Sequence, residues 1–545
     1  MAESPQEIFK PEAAPLSRGK LIRTGLYGLI GLALLFGALT LLRLSGVELT
    51  ENFKHLNWSL LGDVLGYDRT SPLLFNTGLF MLLFAAFIGI YRLAASRSKA
   101  RMYLVIAFSL YFYIKSSPMG CVLLLAVCMA DFIIGTLLFY CKSSVKRRLY
   151  VLFNVLMNAG MLLYFKYFNL VFGFFAGMAG AHFEPFDIIL PIGVSFFCFR
   201  SISYIVDIYR GKIEPCRSLR DYIFFLTFFP PLLAGPVVRA SDMLPQIARN
   251  PIADRRMVSE GLFMIMCGLF KKIIIADYLS GNFVQRIFEN PSLYSGFENL
   301  MGVLGFSIQI YCDFSGYSDM AIGIALLMGY RFLDNFDSPF KSTNPSDFWR
   351  RWHISLSSWL RDYIYIPLGG NRKGKPRQYC NLFITMIVGG IWHEGVLMNI
   401  LWGFYNGILL TGHKILHKVW RTPARIKGTR GANVVNIAVT FTLIIVGMAI
   451  FKSTSIESFG VMCKQIFTNF RPSVIPSFIM SYKGVVLLML LAYVLHFMPK
   501  RLTARVRDIF GNQSLLMQAI ILALVIFVVI QSRQAELVPF IYLKY

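Results

Sequence analysis

The 545-residue sequence contains few charged residues, and acidic residues are the scarcer kind. Only 15% of the residues are charged, whereas 56% are hydrophobic. The mean hydropathy is +0.58. A soluble protein of this length could not keep so much apolar surface away from water. The shortage of charge therefore excludes a soluble globular protein and indicates an integral membrane protein.

Long apolar runs recur along the chain. A transmembrane helix needs about 20 mostly apolar residues, and several runs approach that length, for example 26–44, 73–91, 119–140, 149–172, 434–451, 485–498 and 515–530. The predicted fold class is all-α and polytopic, with roughly 11–13 transmembrane helices plus re-entrant and interfacial helices around a central tunnel.

The scarcity of acidic residues leaves a net charge of +25, from 54 Lys and Arg against 29 Asp and Glu. The basic residues lie in short loops between apolar runs, which the positive-inside rule explains better than a nucleic-acid-binding face does. Loops such as 142–148 and 372–377 should be cytoplasmic, and the acidic loop 46–71 should face outward. The alternation predicts a cytoplasmic N-terminus and places 534–545 outside.

Metal-binding patterns are also scarce. The nine cysteines form no CxxC pair, and most lie in apolar runs as small hydrophobic residues. Among the seven histidines, His413 and His417 have a spacing that could hold a metal on a helix. Lys414 and Lys418 accompany them, so a basic helix end is the better interpretation. No metal site is predicted.

Two parts of the chain differ in character. Residues 1–70 are predicted to be an N-terminal extension with one extra transmembrane helix, and 71–545 the core. Within the core, FFPPLLAGP (228–236) places three prolines in an apolar run. Proline breaks the helical hydrogen-bond ladder. Broken backbone is tolerated at membrane depth only inside protein or beside a water-filled cavity, so this segment should dip into the membrane or line a polar interior.

One apolar run contains the motif VGGIWHEG (388–395). Ionisable groups inside membrane segments are costly and mark cavities, relays or sites. A zinc protease would need a second histidine four residues after His393, where Leu397 stands. A neutral imidazole can instead take a proton from a hydroxyl, typically worth about 10²–10⁴ in rate. His393 is thus predicted to be a general base, with a buried structural histidine as the alternative. Gly389, Gly390 and Gly395 should let substrate approach the backbone, and Glu394 either orients the imidazole or faces water.

A second histidine lies in DFWRRWHISLSSWLRDY (347–363). Its spacing predicts one amphipathic helix, at the membrane surface or folded into a polar interior. Trp352 and His353 fall on its aromatic side, and Arg350 falls mostly on the other. His353 is either functional or a satisfied core residue.

Two further polar clusters interrupt apolar runs. Asp313 and Tyr317 are one helical turn apart and able to hydrogen-bond, and they serve either structure or a substrate path. Lys271 and Lys272 lie near the middle of the run 261–277. Either that run forms two short helices, or one lysine pairs with a carboxylate.

Six motifs, in order, resemble the membrane-bound O-acyltransferase (MBOAT) family, and among its members those of bacterial alginate O-acetylation. They are LPIGVSFFCFRSISYIVDIYRG (190–211), FFPPLLAGPVVR (228–239), GLFKKIIIAD (268–277), YCDFSGYSDMAIG (311–323), DFWRRWHISLSSWLRDYIYIPLGGNR (347–372) and GGIWHEG (389–395). The extra span before residue 71 departs from the family pattern, as does the glutamate after His393, where glycine is more usual.

The resemblance implies helices around a tunnel that joins the cytoplasm to an outward-facing funnel. It implies His393 as the essential histidine and His353 as a second histidine of the tunnel. The residues predicted to contact substrate or line the tunnel are Trp392, Glu394, Asp313, Tyr317, Arg350, Trp352 and Asn371.

The implied activity is acyl transfer at the bacterial inner membrane, with acetyl-CoA as cytoplasmic donor and no bound cofactor. The implied acceptor is a serine-hydrolase-like partner or a carrier, which passes acetyl groups to an exopolysaccharide. The chain lacks a GxSxG nucleophile elbow, so direct transfer is favoured over a covalent acyl-enzyme. The alternatives are D-alanyl transfer, a polysaccharide or lipid transporter or flippase with the same polar interior, and a scaffold for an exopolysaccharide complex.

Overall fold

The computed structural model describes residues 65–68, 72–393, 397–419, 429–532 and 540. Within these ranges every regular element is a helix, which confirms the all-α prediction. The predicted extra span at 26–44, most of the predicted extension 1–70 and Glu394 lie outside the described residues.

The first half of the structure consists of helices, many of which are ended by loops or π-helical turns. They are α1 (Gly78–Leu93), α2 (Ser98–Ser116), α3 (Pro118–Tyr140), α4 (Ser144–Leu162), a π turn (Leu163–Tyr167), α5 (Phe168–Met178), α6 (Val194–Tyr209), α7 (Leu219–Thr227), α8 (Ala240–Arg249), α9 (Arg255–Leu269), π turns at Phe270–Asp277 and Ser280–Val284, and α10 (Gln285–Glu289).

The second half begins with the longest helix and carries both histidine motifs. Its helices are α11 (Gly296–Leu327), α12 (Pro345–Arg351), α13 (Ile354–Leu360), a π turn (Arg361–Tyr365), α14 (Gly374–His393), α15 (Leu397–Val419), α16 (Arg430–Lys452), α17 (Ile456–Thr468), α18 (Ile475–Ser481), α19 (Lys483–Phe497), α20 (Lys500–Gly511) and α21 (Leu515–Gln531).

Three helical segments of the described chain are long and apolar enough to cross a membrane by themselves: Pro118–Tyr140, Ser144–Met178 and Arg430–Lys452. Two bent pairs pass the same test together, Pro472–Ser481 with Lys483–Phe497 and Lys500–Gly511 with Leu515–Gln531. The predicted runs 119–140, 149–172 and 434–451 are therefore confirmed as helices that are long and apolar enough to span a membrane. The total of 11–13 spans and the tunnel stay predictions.

Helix α11 forms the centre of the protein. It begins at a capping box, in which Ser295 and Glu298 satisfy each other's backbone N–H groups. Most of its 32 residues are buried, so a helix of this length is surrounded by the rest of the chain instead of facing lipid along one side. It packs against α9 and the π turn that follows, and its middle supplies walls to the histidine region described below.

The proline-rich segment 228–236 is buried and non-helical, as predicted from its sequence. Its continuation is tied to the second histidine motif by two contacts. The backbone N–H of Val237 donates to Ser355 Oγ at 2.9 Å, and Arg239 Nη1 lies 2.7 Å from Asp362 Oδ2. The broken backbone is thus placed beside the motif that contains His353.

The prediction of one amphipathic helix over 347–363 is wrong. Helix α12 ends at Arg351, and α13 begins at Ile354. Between them His353 has left-handed backbone angles, φ 44° and ψ 56°, which are costly for a residue with a Cβ atom. Asn335 accounts for the break, because its backbone oxygen accepts the Ile354 N–H at 2.9 Å and its side-chain Oδ1 accepts the Ser355 N–H at 3.2 Å.

Candidate active site

His393 is the last described residue of α14, and its helix end is held by the π turn of the α4–α5 span. Lys166 Nζ donates to the carbonyl oxygens of Trp392 and His393, both at 3.0 Å. The hydroxyl of Tyr167 donates to the carbonyl oxygen of Ile391 at 2.6 Å. Three successive carbonyl groups at the end of α14 are therefore bonded, and a cation at a helix C-terminus also favours the helix dipole.

The His393 side chain is 5% exposed and lies beside two cavities, since it lines one of them and contacts two residues that line the other. The first, here called the aromatic cavity, has a volume of about 20 Å³ and is lined by Ile310, Phe348, Trp349, Trp352, Trp402, Asn406, Ile444, Met448 and Phe451. The His393 ring contacts two of its walls, with centroids 5.1 Å from those of Trp402 and Phe451.

The second, here called the polar cavity, also has a volume of about 20 Å³, and His393 itself lines it together with Lys166, Leu190, Pro191, Gly193, Val194, Ser195, Phe196, Leu233 and Trp392. A space of this size admits about one water molecule. The two cavities differ in chemistry, since the first is almost entirely aromatic and aliphatic whereas the second contains an ammonium, a hydroxyl and an imidazole.

Trp392 connects the two histidines. Its ring centroid lies 4.7 Å from that of His393 and 6.5 Å from that of His353. Phe196 and Phe199 also pack against the Trp392 ring. The predicted pair His393 and His353 is therefore brought into one buried cluster, with predicted Trp392 between them.

His353 is fixed by Asn335. Asn335 Oδ1 accepts the Ser355 hydroxyl at 2.8 Å, and its Nδ2 donates to Ser318 Oγ at 3.1 Å. Because these bonds set the orientation of the amide, His353 Nδ1, 3.2 Å from Oδ1, carries the proton. The basic nitrogen of the neutral ring is then Nε2.

Two predicted residues lie on α11. Lys272 Nζ is 2.6 Å from Asp313 Oδ1, so Asp313 is part of a buried ion pair. The expected bond between Asp313 and Tyr317 is absent, since the buried Tyr317 hydroxyl has no hydrogen-bond partner. The Tyr317 ring instead stacks on Phe540 at 4.7 Å. Phe540 is the one described residue of 534–545, the C-terminal segment predicted to lie outside. Its side chain is buried.

The remaining predicted residues lie in different places. Trp352 is 5% exposed and lines the aromatic cavity. The Arg350 side chain is 72% exposed and faces Asp347 at 3.5 Å, and Asn371 is exposed in the turn before α14. The structure therefore brings Trp352 to the site and leaves these two at the surface.

Gly390 has a different role from the predicted one. A Cβ atom at this position would collide with the carbonyl oxygen of Asn399 on α15. The space beside Gly390 is therefore filled by the neighbouring helix, and the prediction that substrate approaches the backbone here is wrong. The glycine allows α14 and α15 to pack closely, which places Trp402 against His393.

Asp362 forms ion pairs with Arg239 and Arg361 at the edge of the site, outside the spanning helices. Burial by itself would raise the pKa of its carboxyl, but hydrogen bonds from Arg361 and Arg239 lower that pKa below its ordinary value. Arg239 also donates to Ser358 Oγ at 3.1 Å. The pair thus holds the proline-rich segment against α13. No cluster of three or more possible metal ligands occurs in the described part of the chain.

Comparison with known proteins identifies the family. The family model of the membrane-bound O-acyltransferases matches residues 216–454. A Pseudomonas syringae pv. tomato protein named "Probable alginate O-acetylase AlgI" is 38% identical over 404 residues, which is 73% of this chain and 75% of the relative. The chain belongs to the membrane-bound O-acyltransferase family.

Two other relatives are named for different substrates. The peptidoglycan O-acetyltransferase of Helicobacter pylori is 33% identical over 430 residues, 73% of this chain and 80% of the relative. The teichoic acid D-alanyltransferase of Bacillus subtilis is 27% identical over 284 residues, 50% of this chain and 71% of the relative. This MBOAT protein is accordingly a membrane-embedded acyltransferase.

Sequence reasoning missed three residues of this MBOAT site: Lys166, Ser195 and Asn335. Lys166 had a usable signal, because it is a lysine inside the apolar run 149–172 and the rule that selected His393 applies to it equally. Ser195 and Asn335 had none, since small polar residues are common in such helices and loops. Lys166 and Ser195 also precede the start of the family-model match at residue 216.

Proposed function

We propose that this enzyme transfers an acetyl group from cytoplasmic acetyl-CoA to an acceptor on the outer side of the membrane. The observation that carries the proposal is the placement of His393, which is buried, lines the polar cavity and contacts two walls of the aromatic cavity. A proton-accepting group between an apolar pocket and a polar pocket suits a reaction between a thioester and a hydroxyl.

In the proposed step, the acceptor oxygen loses its proton to the His393 imidazole and attacks the thioester carbonyl carbon. A C–O bond forms, and the carbonyl oxygen becomes an oxyanion. When the oxyanion collapses, the C–S bond breaks, and the coenzyme A sulfur leaves with the proton that the imidazolium returns. No covalent acyl-enzyme is required, and the acetyl ester and free thiol balance the reaction.

His353 is proposed to act on the donor side of the same cluster. Its proton on Nδ1 is held by Asn335 at 3.2 Å, and Trp352, its neighbour in sequence, lines the aromatic cavity. These contacts support a role in holding the thioester, whereas the proton transfer is assigned to His393.

The acceptor is proposed to be an extracytoplasmic serine-hydrolase-like partner or a carrier, which hands the acetyl group to a polysaccharide. The names of two relatives, an alginate O-acetylase and a peptidoglycan O-acetyltransferase, support a carbohydrate polymer as the molecule that finally carries the acetyl group. The distribution of basic loops supports an inner-membrane location with a cytoplasmic donor.

D-alanyl transfer is the second candidate, favoured by the similarity to a teichoic acid D-alanyltransferase. The two functions differ in the donor, because the second requires a D-alanyl thioester on a carrier protein. Supplying each donor in turn to the same preparation distinguishes them.

The test is transfer of label from acetyl-CoA by the purified full-length protein in lipid nanodiscs. His393→Ala should lower the rate by about 10²–10⁴. His182→Ala is the matched control, since that histidine side chain is 89% exposed, and it should keep the wild-type rate. Full activity of His393→Ala would contradict the proposal. Loss of the polymer itself from the cell surface in that variant would favour transport.

A further inference from the structure

The polar cavity contains the positive charge of Lys166, which has no role in the proposed acyl-transfer step. Lys166 lines this cavity together with His393 and Ser195. Its Nζ atom is 5.6 Å from the centre of the Trp392 ring. The ammonium is therefore placed in the same cavity as the His393 imidazole.

Acyl transfer by a neutral histidine leaves one requirement open, because the base removes a proton but does not stabilise the oxyanion. Such stabilisation is usually the largest single contribution to catalysis, and it comes from groups fixed before the reaction begins. In a site shielded from water, a nearby ammonium is worth far more than in solution.

Lys166 meets the condition of being fixed. Two of its hydrogen bonds go to the carbonyl oxygens of Trp392 and His393, at 3.0 Å each. Those bonds tie the ammonium to the backbone of the catalytic histidine itself. Because the ammonium is bonded to the backbone of the residue that carries the imidazole, its position relative to the imidazole is fixed. The charge therefore needs no rearrangement when the oxyanion forms.

We propose that Lys166 stabilises the tetrahedral oxyanion of acyl transfer, and that this oxygen lies in the cavity lined by Lys166, Ser195 and His393. The acyl methyl group and the sulfur then lie toward the aromatic cavity, on the other side of the imidazole. The inference rests on the proposed function, since it assumes that His393 takes the acceptor proton.

The variants separate the charge from the anchoring of the helix. Lys166→Met removes both the charge and the hydrogen bonds. Lys166→Gln removes the charge but keeps an amide donor for the carbonyl groups, and Lys166→Arg keeps the charge. Tyr167→Phe removes the neighbouring anchor on Ile391 without removing a charge. Lys115→Met is the matched control, because Lys115 is also buried and bonded to a backbone carbonyl, that of Gly66.

The assay is the release of coenzyme A thiol from acetyl-CoA by the full-length protein in nanodiscs, with glycerol as the hydroxyl probe. Lys166→Met and Lys166→Gln should lower kcat by about 10²–10³, the usual loss for one oxyanion donor. KM for acetyl-CoA and for glycerol should stay within about twofold, because the interaction forms only in the transition state. Lys166→Arg should recover most of kcat, and Lys115→Met should match the wild type.

Three results would overturn the inference. One is a normal kcat in Lys166→Gln. Another is an equal loss of kcat in Lys166→Gln and Tyr167→Phe, which would make Lys166 an anchor only. The third is a higher glycerol KM at unchanged kcat, which would make the cavity an acceptor site. The pH–rate profile adds a check, since loss of an oxyanion contact lowers kcat at every pH without moving the acidic limb.

The outcomes for the two proposals are distinguishable. If His393→Ala retains transfer, the proposed function fails whatever Lys166 does. If His393→Ala is inactive while Lys166→Gln keeps its kcat, the general base stands and only the oxyanion role of Lys166 fails. Ser195→Ala, which changes no charge and no helix anchor, tests the same cavity in case the lysine variants do not fold.

Discussion

Two of the buried polar clusters in the described part of this membrane protein differ in the charges that they contain. Around α11, Lys272 contacts Asp313 at 2.6 Å and Asp277 at 2.8 Å, and Lys271 contacts Asp319 at 2.6 Å. In the histidine cluster two buried imidazoles lie around Trp392, and Lys166 lines the polar cavity with His393. The first cluster consists of matched charges, and the second of groups that can change protonation during a reaction.

The comparison shows how a membrane interior separates structure from chemistry. A buried charge is tolerated when an opposite charge and hydrogen bonds compensate it. A group that must accept and return a proton needs space for a substrate beside it. By this criterion, the surroundings of Asp313 favour a structural role, and those of His393 favour a catalytic one.

The largest expected effect is in the charged cluster. Asp313→Ala removes one partner of Lys272, whose side chain is 2% exposed. Breaking a buried pair from one side costs about 3–5 kcal/mol, and because Lys272 keeps Asp277 at 2.8 Å the loss should lie at the lower end of that range, which still lowers the unfolding temperature in detergent clearly. The protein that remains folded should keep the wild-type KM for acetyl-CoA. Glu214→Ala, which breaks a largely exposed pair with Arg217, is the control. A raised KM without destabilisation would place Asp313 on the substrate path.

The next effect concerns the anchor of His353. Asn335→Ala removes an oxygen that accepts bonds from His353, from the Ser355 N–H and from its hydroxyl. Each buried donor left unpaired costs about 1–3 kcal/mol, and the imidazole loses its fixed tautomer. We expect a lower unfolding temperature together with at least about a tenfold loss of kcat, as for other misplaced catalytic groups. Asn282→Ala, which removes one bond to the Tyr278 carbonyl, should lower kcat little. Equal losses in the two variants would contradict the assignment.

The two histidines should respond in opposite directions to replacement by glycine and alanine. His353 has a positive φ, so His353→Gly should be more stable than His353→Ala, by about 1 kcal/mol. His393 has helical backbone, so His393→Gly should be less stable than His393→Ala, by up to about 1 kcal/mol. Differential scanning calorimetry of the four variants measures both differences in stability. The same sign at both positions would show that the break at His353 is not strained.

The sequence predicted the elements that depend on composition and local pattern, and missed those that depend on contacts between distant segments. Apolar length predicted the spanning helices, and the proline run predicted the broken segment 228–236. The break at His353 was missed because the spacing of 347–363 is helical throughout, whereas the competing bonds come from Asn335. Likewise, nothing near residue 390 in the chain shows that Asn399 fills the space beside the glycine.

The site was predicted in part for the same reason. His393 and His353 stood out because ionisable residues are rare in apolar runs. Their common neighbour Trp392 was included, but the lysine that holds the end of α14 comes from a span more than 200 residues earlier in the chain, with Lys166 bonded to His393 across a separation of 227 residues. Only the tertiary structure brings that charge to the imidazole.

The smallest expected effect concerns the ion pair between Asp362 and Arg239 at the edge of the site. The pKa of the Asp362 carboxyl is lowered in the folded protein, so the ionised form contributes stability above the unfolded pKa of about 3.9. That contribution disappears as the pH falls through the lower, folded value. Asp362→Asn should therefore unfold at a lower temperature than the wild type at pH 7, by an amount equivalent to about 1 kcal/mol, and the gap should shrink in acid. A gap that is constant from pH 7 to pH 3 would mean that Arg239 is held at α13 by Ser358 and packing instead of by charge, and this contact would then differ in kind from the ion pairs of α11.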